Sequence, residues 1–299
     1  MEKIKLPMRG QEFSNNELMA PVLENIAAVS NIDSLSTKEG NLRSYLLDQL
    51  RQFGVEGRVD AKGNVWVESK APEGEILLCA HMDKIGPGNK AIIEKGELQG
   101  RLDDSAGIGI ILGMIKAGYR PSMLFTVEEE YEHEVADAEG KSRIKSRELP
   151  DGIYSAGARF AADEIREGKA KKPKLIINID VSARDNIGNG PLVYVSSRNF
   201  RFPSGPAKDV LKLLQENNLQ AQFIDGAAND SIEFSFLEKQ GVLCVEIPIK
   251  NYHSANETAD LGDIKEAVEI IKTILQNHNQ IQNASDTPIH ASYSNPIEL

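Results

Sequence analysis

The chain contains 299 residues, of which 40% are hydrophobic and 26% charged, and this composition is ordinary for a soluble globular protein. Its formal net charge of -11 argues against nucleic acid or an anionic membrane surface as the main partner. The sequence has no apolar stretch long enough to cross a bilayer, and its first residues lack the apolar core of a signal peptide. We therefore expect a cytoplasmic protein that binds neither nucleic acid nor membrane.

Apolar periodicity and turn residues predict the elements in chain order. The first half is expected to contain helices over 16–30 and 39–54, a hairpin over 57–69, a buried strand over 75–80, a more exposed strand or hairpin over 91–98, a helix over 105–117 and a strand over 123–127. The second half is expected to contain a helix over 154–167, strands over 174–179 and 192–195, a helix over 206–216, strands over 222–224 and 242–247, and a closing helix over 261–277.

Alternating strands and helices predict an α/β fold, in which a mixed, largely parallel sheet is sandwiched between helices. Residues 1–280 are interpreted as one domain, and the polar residues 281–299 as a C-terminal tail. The strongly charged segment near 131–150 interrupts the pattern and is interpreted as a surface insertion or lid. Cys79 and Cys244 lie within apolar runs, which favours reduced core thiols over a disulfide or a metal-binding pair.

Acidic and histidine residues recur at predicted strand ends and turns. They form five groups, namely His81 with Asp83, Asp103 with Asp104, Glu128 to Glu130, Asp180, and His253. Functional sites of parallel sheets gather at the carboxyl ends of the strands, which is where most of these groups are expected. Burying carboxylates and imidazoles together is costly unless something binds them. Two divalent metal ions sharing a bridging carboxylate would account for all five groups, and zinc, cobalt and manganese suit such ligands.

Each group also has an ordinary explanation. His81 could be a satisfied strand-end histidine, Asp104 could cap the following helix, and three consecutive glutamates usually mark a solvated face. Asp180 could be a polar strand end, and His253 a loop histidine. The joint order of histidine, aspartate, paired glutamates, aspartate and histidine favours the metal site over five independent coincidences.

The stretches 80–86, 102–107, 125–130, 178–181, 188–191 and 252–264 carry a family resemblance that covers roughly residues 75–275. In order, spacing and flanking strands they resemble the co-catalytic di-zinc exopeptidases, most closely the tetrahedral-aminopeptidase and glutamyl-aminopeptidase family. The resemblance implies a zinc-exopeptidase-like three-layer fold and makes residues 1–280 a single catalytic metallopeptidase-like domain.

The resemblance also implies a role for each site residue. One metal would be held by His81, Asp103 and Asp180, and the other by Asp103, Glu130 and His253, so that Asp103 bridges them. Glu129 would act as general base and acid, and Asp83 would orient His81 by a hydrogen bond.

The sequence departs from the family pattern at four points, one of which is the charged segment near 131–150, because it interrupts a turn after the glutamates that is usually compact in the family. Lys84 stands where the family usually has Glu, and Ser105 stands where it usually has Arg. Only 22 positions separate His81 from Asp103, which leaves no room for the small domain that family members insert there. Because that domain normally organises a large hollow assembly, the assembly is not expected here, and a homo-oligomer of another kind stays open.

The leading functional hypothesis is an aminopeptidase that acts on short peptides. A di-metal amidohydrolase or deacylase of N-acyl amino acids, and a non-catalytic metal-binding scaffold, stay open as alternatives. The sequence lacks a Gly-x-Ser-x-Gly elbow and phosphate-binding glycine loops, which disfavours a serine hydrolase and a nucleotide-binding protein. Asn229 and Asp230 are expected either to line the substrate site or to cap a helix, and His133, His278 and His290 are not expected to be ligands.

Overall fold

The computed structural model describes residues 18–130, 132–136, 142–146, 155–184, 187–194, 200–201, 204–219, 221–224, 226, 229–237, 240–281 and 289–290. The helices within these ranges are α1 (Met19–Ser30), α2 (Gly40–Gln52), α3 (Ser105–Lys116), α4 (Ala156–Arg166), α5 (Ser204–Glu216), α6 (Ser231–Phe234) and α7 (Leu261–Gln276). The strands are β1 (Arg58–Val59), β2 (Val65–Val67), β3 (Ile76–His81), β4 (Ile92–Glu94), β5 (Glu97–Gly100), β6 (Ser122–Thr126), β7 (Glu132–Ala136), β8 (Ser142–Ser146), β9 (Leu175–Ser182), β10 (Leu192–Tyr194), β11 (Phe200–Arg201), β12 (Gln222–Ile224), β13 (Gly241–Lys250), β14 (Glu257–Asp260) and β15 (Ile289–His290).

The main sheet has a parallel centre and antiparallel edges. Its strand order is β1-β2-β6-β3-β9-β13-β14-β5-β4, and β10 and β12 extend it alongside β13. The central strands β6, β3, β9 and β13 run parallel, so their carboxyl ends meet at one edge of the sheet. The outer strands β2, β14 and β5 pair antiparallel with their neighbours. This arrangement confirms the mixed, largely parallel sheet that the sequence predicts.

Helices cover both faces of the sheet. One apolar core joins the first face to α1, α2, α3, α5 and α7, and a smaller core joins the opposite face to α4 and α6. Strands covered on both faces need apolar side chains at nearly every position rather than at alternate ones. Strands β3 and β6 are accordingly buried at every residue. The result is a three-layer α/β architecture.

The glycines of α3 allow an unusually close approach of α1. A Cβ atom added to Gly109 would lie 2.3 Å from a side-chain carbon of Ile26, and one added to Gly113 would lie 2.3 Å from a side-chain carbon of Val22. Contacts that short require glycine, because any larger residue would displace the neighbouring helix. The glycine face of α3 therefore packs against α1, and α3 itself begins beside the acidic residues described below.

Cys79 and Cys244 are buried free thiols, as predicted. Strand β14 is an element that the sequence pattern did not predict. Within the charged segment 131–150, the backbone of β7 and β8 forms an antiparallel pair, and the rest of that segment lies outside the described residues. Most of the tail 281–299 also lies outside them, although β15 pairs with β11. Among the described helices, none combines the length and the apolar composition that a membrane span requires.

Candidate metal centre

One side of the candidate centre is carried by strands, and we call His81 and Asp180 the strand-side residues. His81 is the last residue of β3, whereas Asp180 lies within the neighbouring strand β9, which is longer than the sequence predicts and so does not end before Asp180. The His81 Nε2 atom lies 3.0 Å from Asp103 Oδ1 and 3.6 Å from Asp180 Oδ1. Hydrogen-bonded sheet neighbours therefore fix the relative positions of the two strand-side residues.

The tautomer of His81 follows from its backbone neighbour. Its Nδ1 atom lies 3.0 Å from the carbonyl oxygen of Asp83, which can only accept, so Nδ1 carries the hydrogen and donates it. The Asp83 carboxylate is farther away, with Oδ1 at 3.6 Å from Nδ1. A neutral His81 would then direct the Nε2 lone pair at carboxylate oxygens, and only a proton or a metal cation between them makes that contact favourable.

The other side is carried by turns, and we call Glu130 and His253 the turn-side residues. Glu130 lies shortly after β6, and His253 lies in the turn between β13 and β14. The His253 Nε2 atom lies 3.2 Å from Glu130 Oε1 and 3.5 Å from Asp103 Oδ2. Asp103 thus directs one carboxylate oxygen towards His81 and the other towards His253.

Among Asp103, Glu130 and His253, two buried atoms lack a hydrogen-bond partner in the described part of the chain. They are Asp103 Oδ2 and His253 Nε2, which face each other at 3.5 Å. Orphaned buried polar atoms are rare in folded proteins and need an explanation such as a bound ion. Imidazole nitrogen and carboxylate oxygen are ligands that zinc and similar divalent metals take. The donor set therefore fits divalent cations.

Three groups of side chains bring potential ligand atoms within 4.8 Å of one another. They are His81 with Glu129 and Glu130, His81 with Asp104 and Asp180, and Asp103 with Glu130 and His253. The second group contains Asp104 where the family resemblance implies Asp103. Asp104, however, caps α3 by accepting a hydrogen bond from the Gly107 amide at 2.8 Å, as the capping interpretation predicts. Asp103 Oδ1 is the oxygen that directly faces His81 Nε2.

Asp83 fixes the turn that carries the two glutamates. Its Oδ1 accepts a hydrogen bond from the Glu129 amide at 2.9 Å, and its Oδ2 accepts one from the Glu130 amide at 2.8 Å. The Ser36 hydroxyl donates to the same Oδ2 at 2.5 Å. The carboxylate of Asp83 therefore positions the glutamate turn, whereas its backbone carbonyl orients His81.

Glu257 performs the corresponding task for Asp103 and His253. Its Oε2 accepts hydrogen bonds from the amides of Leu102 and Asp103 at 2.6 and 3.0 Å, and its Oε1 accepts one from the His253 amide at 2.9 Å. No role was predicted for Glu257 from the sequence, although it belongs to the stretch 252–264 that carries the family resemblance. A single buried carboxylate thus joins two segments that contribute to the centre.

Burial and the close spacing of several acids shift the pKa values of the residues in the candidate centre. Burial raises the pKa of Glu129, Glu130 and Asp180, and neighbouring carboxylates raise the pKa values of the two glutamates further. Burial lowers the pKa of His81, but the surrounding carboxylates, chiefly Asp103, outweigh it and raise that pKa well above its ordinary value. Excess negative charge in a buried site is what bound divalent cations neutralise.

A cavity of about 280 Å³ opens beside the centre. Burial, followed by the charge of Asp180, raises the pKa of Glu246 in its wall to about 8. The cavity gives a small molecule access to the candidate ligands and to Glu129. The candidate ligands in its wall are His81, Asp103 and Asp180, and the rest of the wall includes Glu129, Arg184, Tyr194, Asn229, Glu246 and Tyr252.

Asn229 and Asp230, which were expected to line the site or to cap a helix, have different positions. Asn229 lines the cavity, which meets the first alternative, and its Oδ1 accepts a hydrogen bond from the Ser231 amide at 3.1 Å in the turn that precedes α6. Asp230 meets neither, because it makes no capping hydrogen bond and does not line the cavity. Its carboxylate instead accepts a hydrogen bond from the buried Thr126 hydroxyl at the end of β6.

The histidines that were not expected to be ligands lie apart from these groups where they can be placed. His278 follows α7, contacts the Leu275 carbonyl at 3.0 Å and belongs to none of the three ligand groups. The side chains of His133 and His290 lie outside the described residues. The candidate centre therefore contains two of the histidines in the described part of the chain, His81 and His253.

Curated proteins resemble part of this chain in sequence. No protein-family model matches the chain. A protein of Pyrococcus furiosus named "putative LysW-lysine/LysW-ornithine hydrolase" is 35% identical over 80 residues, which are 26% of this chain and 24% of that protein. The match therefore spans about a quarter of the curated relative's length.

Solved structures match over most of the chain. An aminopeptidase of the archaeon Desulfurococcus kamchatkensis has a TM-score of 0.67 at 14% identity, over 87% of this chain and 96% of its own. The TET1 peptidase of Pyrococcus horikoshii, which can assemble into a tetrahedron or a large octahedral shell, has a TM-score of 0.61 at 18% identity, over 85% of this chain and 99% of its own. Identities this low show a shared fold, so the chain has the three-layer fold of these peptidases.

Proposed function

We propose that this protein is a metal-dependent aminopeptidase that releases N-terminal residues from short peptides. Two divalent cations, zinc with cobalt or manganese as substitutes, would be held by the strand-side and turn-side residues and bridged by Asp103. The observation that carries the proposal is that the two oxygens of Asp103 face two different imidazoles, at 3.0 Å from His81 and 3.5 Å from His253. A carboxylate with a single ordinary role, such as a helix cap, has no need of that arrangement.

The chemistry divides between the cations and the chain's own groups. Bound divalent cations supply Lewis acidity, which polarises a scissile carbonyl and lowers the pKa of water. Glu129 lines the cavity beside the candidate ligands, and its backbone is fixed by Asp83. We assign Glu129 as the group that accepts a proton from the attacking water and delivers it to the leaving amine. Asp83 acts through Glu129, Glu130 and His81 as a positioning residue.

The second candidate is hydrolysis of another amide by the same centre. The P. furiosus relative is named for hydrolysis of LysW-lysine and LysW-ornithine, and the cavity beside Glu129 does not by itself dictate which amide enters. An amidohydrolase or deacylase of N-acyl amino acids would use the same ligands and the same proton carrier. The two candidates differ in whether the substrate needs a free α-amino group.

Metal analysis paired with a substrate screen tests the proposal. The purified protein is analysed by mass spectrometry for bound metals, before and after incubation with zinc, cobalt or manganese. It is then assayed with aminoacyl p-nitroanilides, dipeptides and N-acetyl amino acids. We expect two equivalents of metal and hydrolysis only of substrates with a free N-terminus. Exclusive hydrolysis of N-acetyl amino acids would favour the second candidate, whereas no metal and no hydrolysis would leave the scaffold hypothesis.

The oligomeric state is a separate prediction. Residues between His81 and Asp103 form only the β4-β5 hairpin and its connections, so this chain has no inserted domain at that point. We propose that a homo-oligomer of this chain assembles without the contacts that such a domain would provide. Light scattering coupled to gel filtration would give its mass, and a shell-sized particle would contradict this proposal.

A further inference from the structure

A second buried carboxylate faces the cavity beyond the candidate metal ligands. Glu246 lies on β13 directly beside Asp180 on β9, because the two residues are partners in the parallel register. Only 6% of Glu246 is exposed, and it lines the same cavity as His81 and Glu129. The proposed reaction assigns no role to Glu246, which belongs to none of the three ligand groups.

The partners of Glu246 among the described residues are uncharged. The Asn229 amide donates to its Oε1 at 2.8 Å, and the hydroxyls of Tyr194 and Ser182 form hydrogen bonds with the carboxylate. In the described part of the chain, no lysine, arginine or histidine forms an ion pair with it. A buried carboxylate held only by neutral donors remains unfavourable, because an opposite charge is what best compensates its removal from water.

The cavity has space for a ligand that carries a positive charge to bind beside Glu246. It extends from the candidate metal centre to Glu246, past Val181, Ala183 and Gly226, which present no charged side chain. Arg184 also lines it, but Arg184 is exposed and its guanidinium lies 5.6 Å over the Tyr194 ring. Solvent screens an exposed charge far more than a buried one, so the buried end of the cavity is suited to a cation.

We propose that Glu246 determines substrate specificity by binding the primary ammonium group of a lysine-like or ornithine-like side chain. That side chain belongs to the N-terminal residue that the reaction releases. This inference rests on the proposed function and names the substrate class of the same site. The methylene groups of such a side chain would lie along the uncharged walls, and the ammonium would form charge-assisted hydrogen bonds with Glu246. The cavity that contains Glu246 also contains His81, Asp103 and Glu129, so a single substrate can reach both the candidate centre and Glu246.

The test compares two substrates that differ mainly in the ammonium group. Lysyl p-nitroanilide and norleucyl p-nitroanilide are assayed with the metal-loaded wild type, with Glu246→Gln and with Glu233→Gln. Glu233 is a carboxylate on α6 that does not line the cavity, so its variant is the matched control. The wild type and the control should prefer the lysyl substrate in kcat/KM by roughly 30-fold or more. In Glu246→Gln that ratio should fall towards one.

The remaining outcomes separate this inference from the proposed function. A wild-type ratio near one, or an unchanged ratio in Glu246→Gln, overturns the inference while leaving the peptidase intact. Equal losses on both substrates would assign Glu246 to the α-ammonium group and also overturn it. If neither substrate is hydrolysed, the proposed function fails, and calorimetric binding of lysinamide against norleucinamide then decides the inference alone. If Glu246→Gln does not fold, Glu246→Asp keeps the charge and should retain part of the lysyl preference, and complete loss of that preference would count against the inference.

Discussion

The two sides of the candidate metal centre are held in place by different parts of the fold. His81 and Asp180 lie in adjacent parallel strands, and their side chains are 2% and 8% exposed. Each is paired in the parallel register with a further central strand, His81 with Thr126 of β6 and Asp180 with Glu246 of β13. His253 lies in a turn and its side chain is 26% exposed. The strand side is therefore positioned by the sheet itself, whereas the turn side needs additional support.

That support comes from two carboxylates that bind backbone amides. Asp83 holds the turn of Glu129 and Glu130, and Glu257 holds the turn of His253. Both turns contain left-handed backbone, as the φ of 59° at His253 illustrates. Such backbone costs roughly 1–2 kcal/mol in a residue other than glycine, and the hydrogen bonds offset that cost. We therefore expect the turn-side metal of the proposed centre to be held more weakly than the strand-side metal.

Replacing Asp103, the ligand shared by the strand side and the turn side, should affect both metals equally and have the largest effect on activity. Asp103→Ala removes the carboxylate that faces both His81 and His253, so both metals should be lost. Hydrolysis should fall by more than about 10³-fold, because Lewis-acid stabilisation worth several kcal/mol disappears. Metal analysis after gel filtration measures the stoichiometry. Retention of two tightly bound ions would eliminate Asp103 as the bridge.

Replacing Glu129, the proposed proton carrier, should slow hydrolysis while both metals stay bound. Glu129→Gln should retain both metals and lower kcat by about 10²- to 10⁴-fold, because the amide cannot accept the proton. Glu128→Gln is the adjacent control, since Glu128 forms a partly exposed ion pair with Lys62 at 2.6 Å, and such pairs contribute less than about 1 kcal/mol. Comparable activity in the Glu129 and Glu128 variants would contradict the assignment of Glu129.

Weakening the hydrogen bonds that hold the His253 turn should affect one metal only. Glu257→Gln weakens the hydrogen bonds to the amides of Asp103 and His253. The strand-side metal keeps His81 and Asp180, which Glu257 does not contact, so the turn-side metal should dissociate about 10- to 100-fold more readily. Chelator titration followed by metal analysis would reveal a stage with one equivalent bound. The matched control is Asp263→Asn, because Asp263 accepts hydrogen bonds from the Gly188 and Gly190 amides in a different turn. Simultaneous release of both metals from the Glu257 variant would refute the difference between the two sides.

The same contrast explains what the sequence could and could not predict. The buried strands were predictable because short apolar runs bounded by turn residues are typical of strands covered on both faces. The order of these strands in the sheet then brings the strand-side residues together. The cap at Asp104 was predictable because its partner is three residues away. The role of Glu257 in holding backbone amides of the centre was not predicted, because its partners Leu102 and Asp103 are 155 and 154 positions away. Glu246 was missed because a glutamate inside an apolar strand carries no local sign of the cavity that it faces.

Lys84 allows the anchoring of the strand side to be tested through stability, with the smallest expected effect on activity. Lys84 is buried, and its Nζ donates to the carbonyls of Val29 and Ile32 at 2.6 and 3.0 Å. Its backbone amide donates to the Ser34 carbonyl at 2.8 Å, so the segment after β3 is tied to the end of α1. Burial, followed by the charge of Arg101, lowers the pKa of the Lys84 amine to about 7.

The sign of the pH dependence follows from that lowered pKa. Between pH 7 and 10.5 the unfolded chain binds a proton at Lys84 that the folded chain does not, so this group makes the free energy of unfolding rise with pH. Lys84→Met removes that dependence and leaves two carbonyls without their donor, at a cost of about 1–3 kcal/mol. In urea unfolding of the metal-free protein, the advantage of the wild type should widen by at most about 1.4 kcal/mol per pH unit above pH 7.

A surface lysine separates this effect from the simple loss of a charge. Lys116→Met, which removes an exposed lysine paired with Glu24, should leave the pH dependence of unfolding as it is in the wild type. If the advantage of the wild type over Lys84→Met is the same at pH 7 and pH 9, Lys84 stays charged in the folded protein. If Lys84→Met also loses the strand-side metal, the sheet alone does not position His81, and the strand side depends on anchoring contacts as the turn side does.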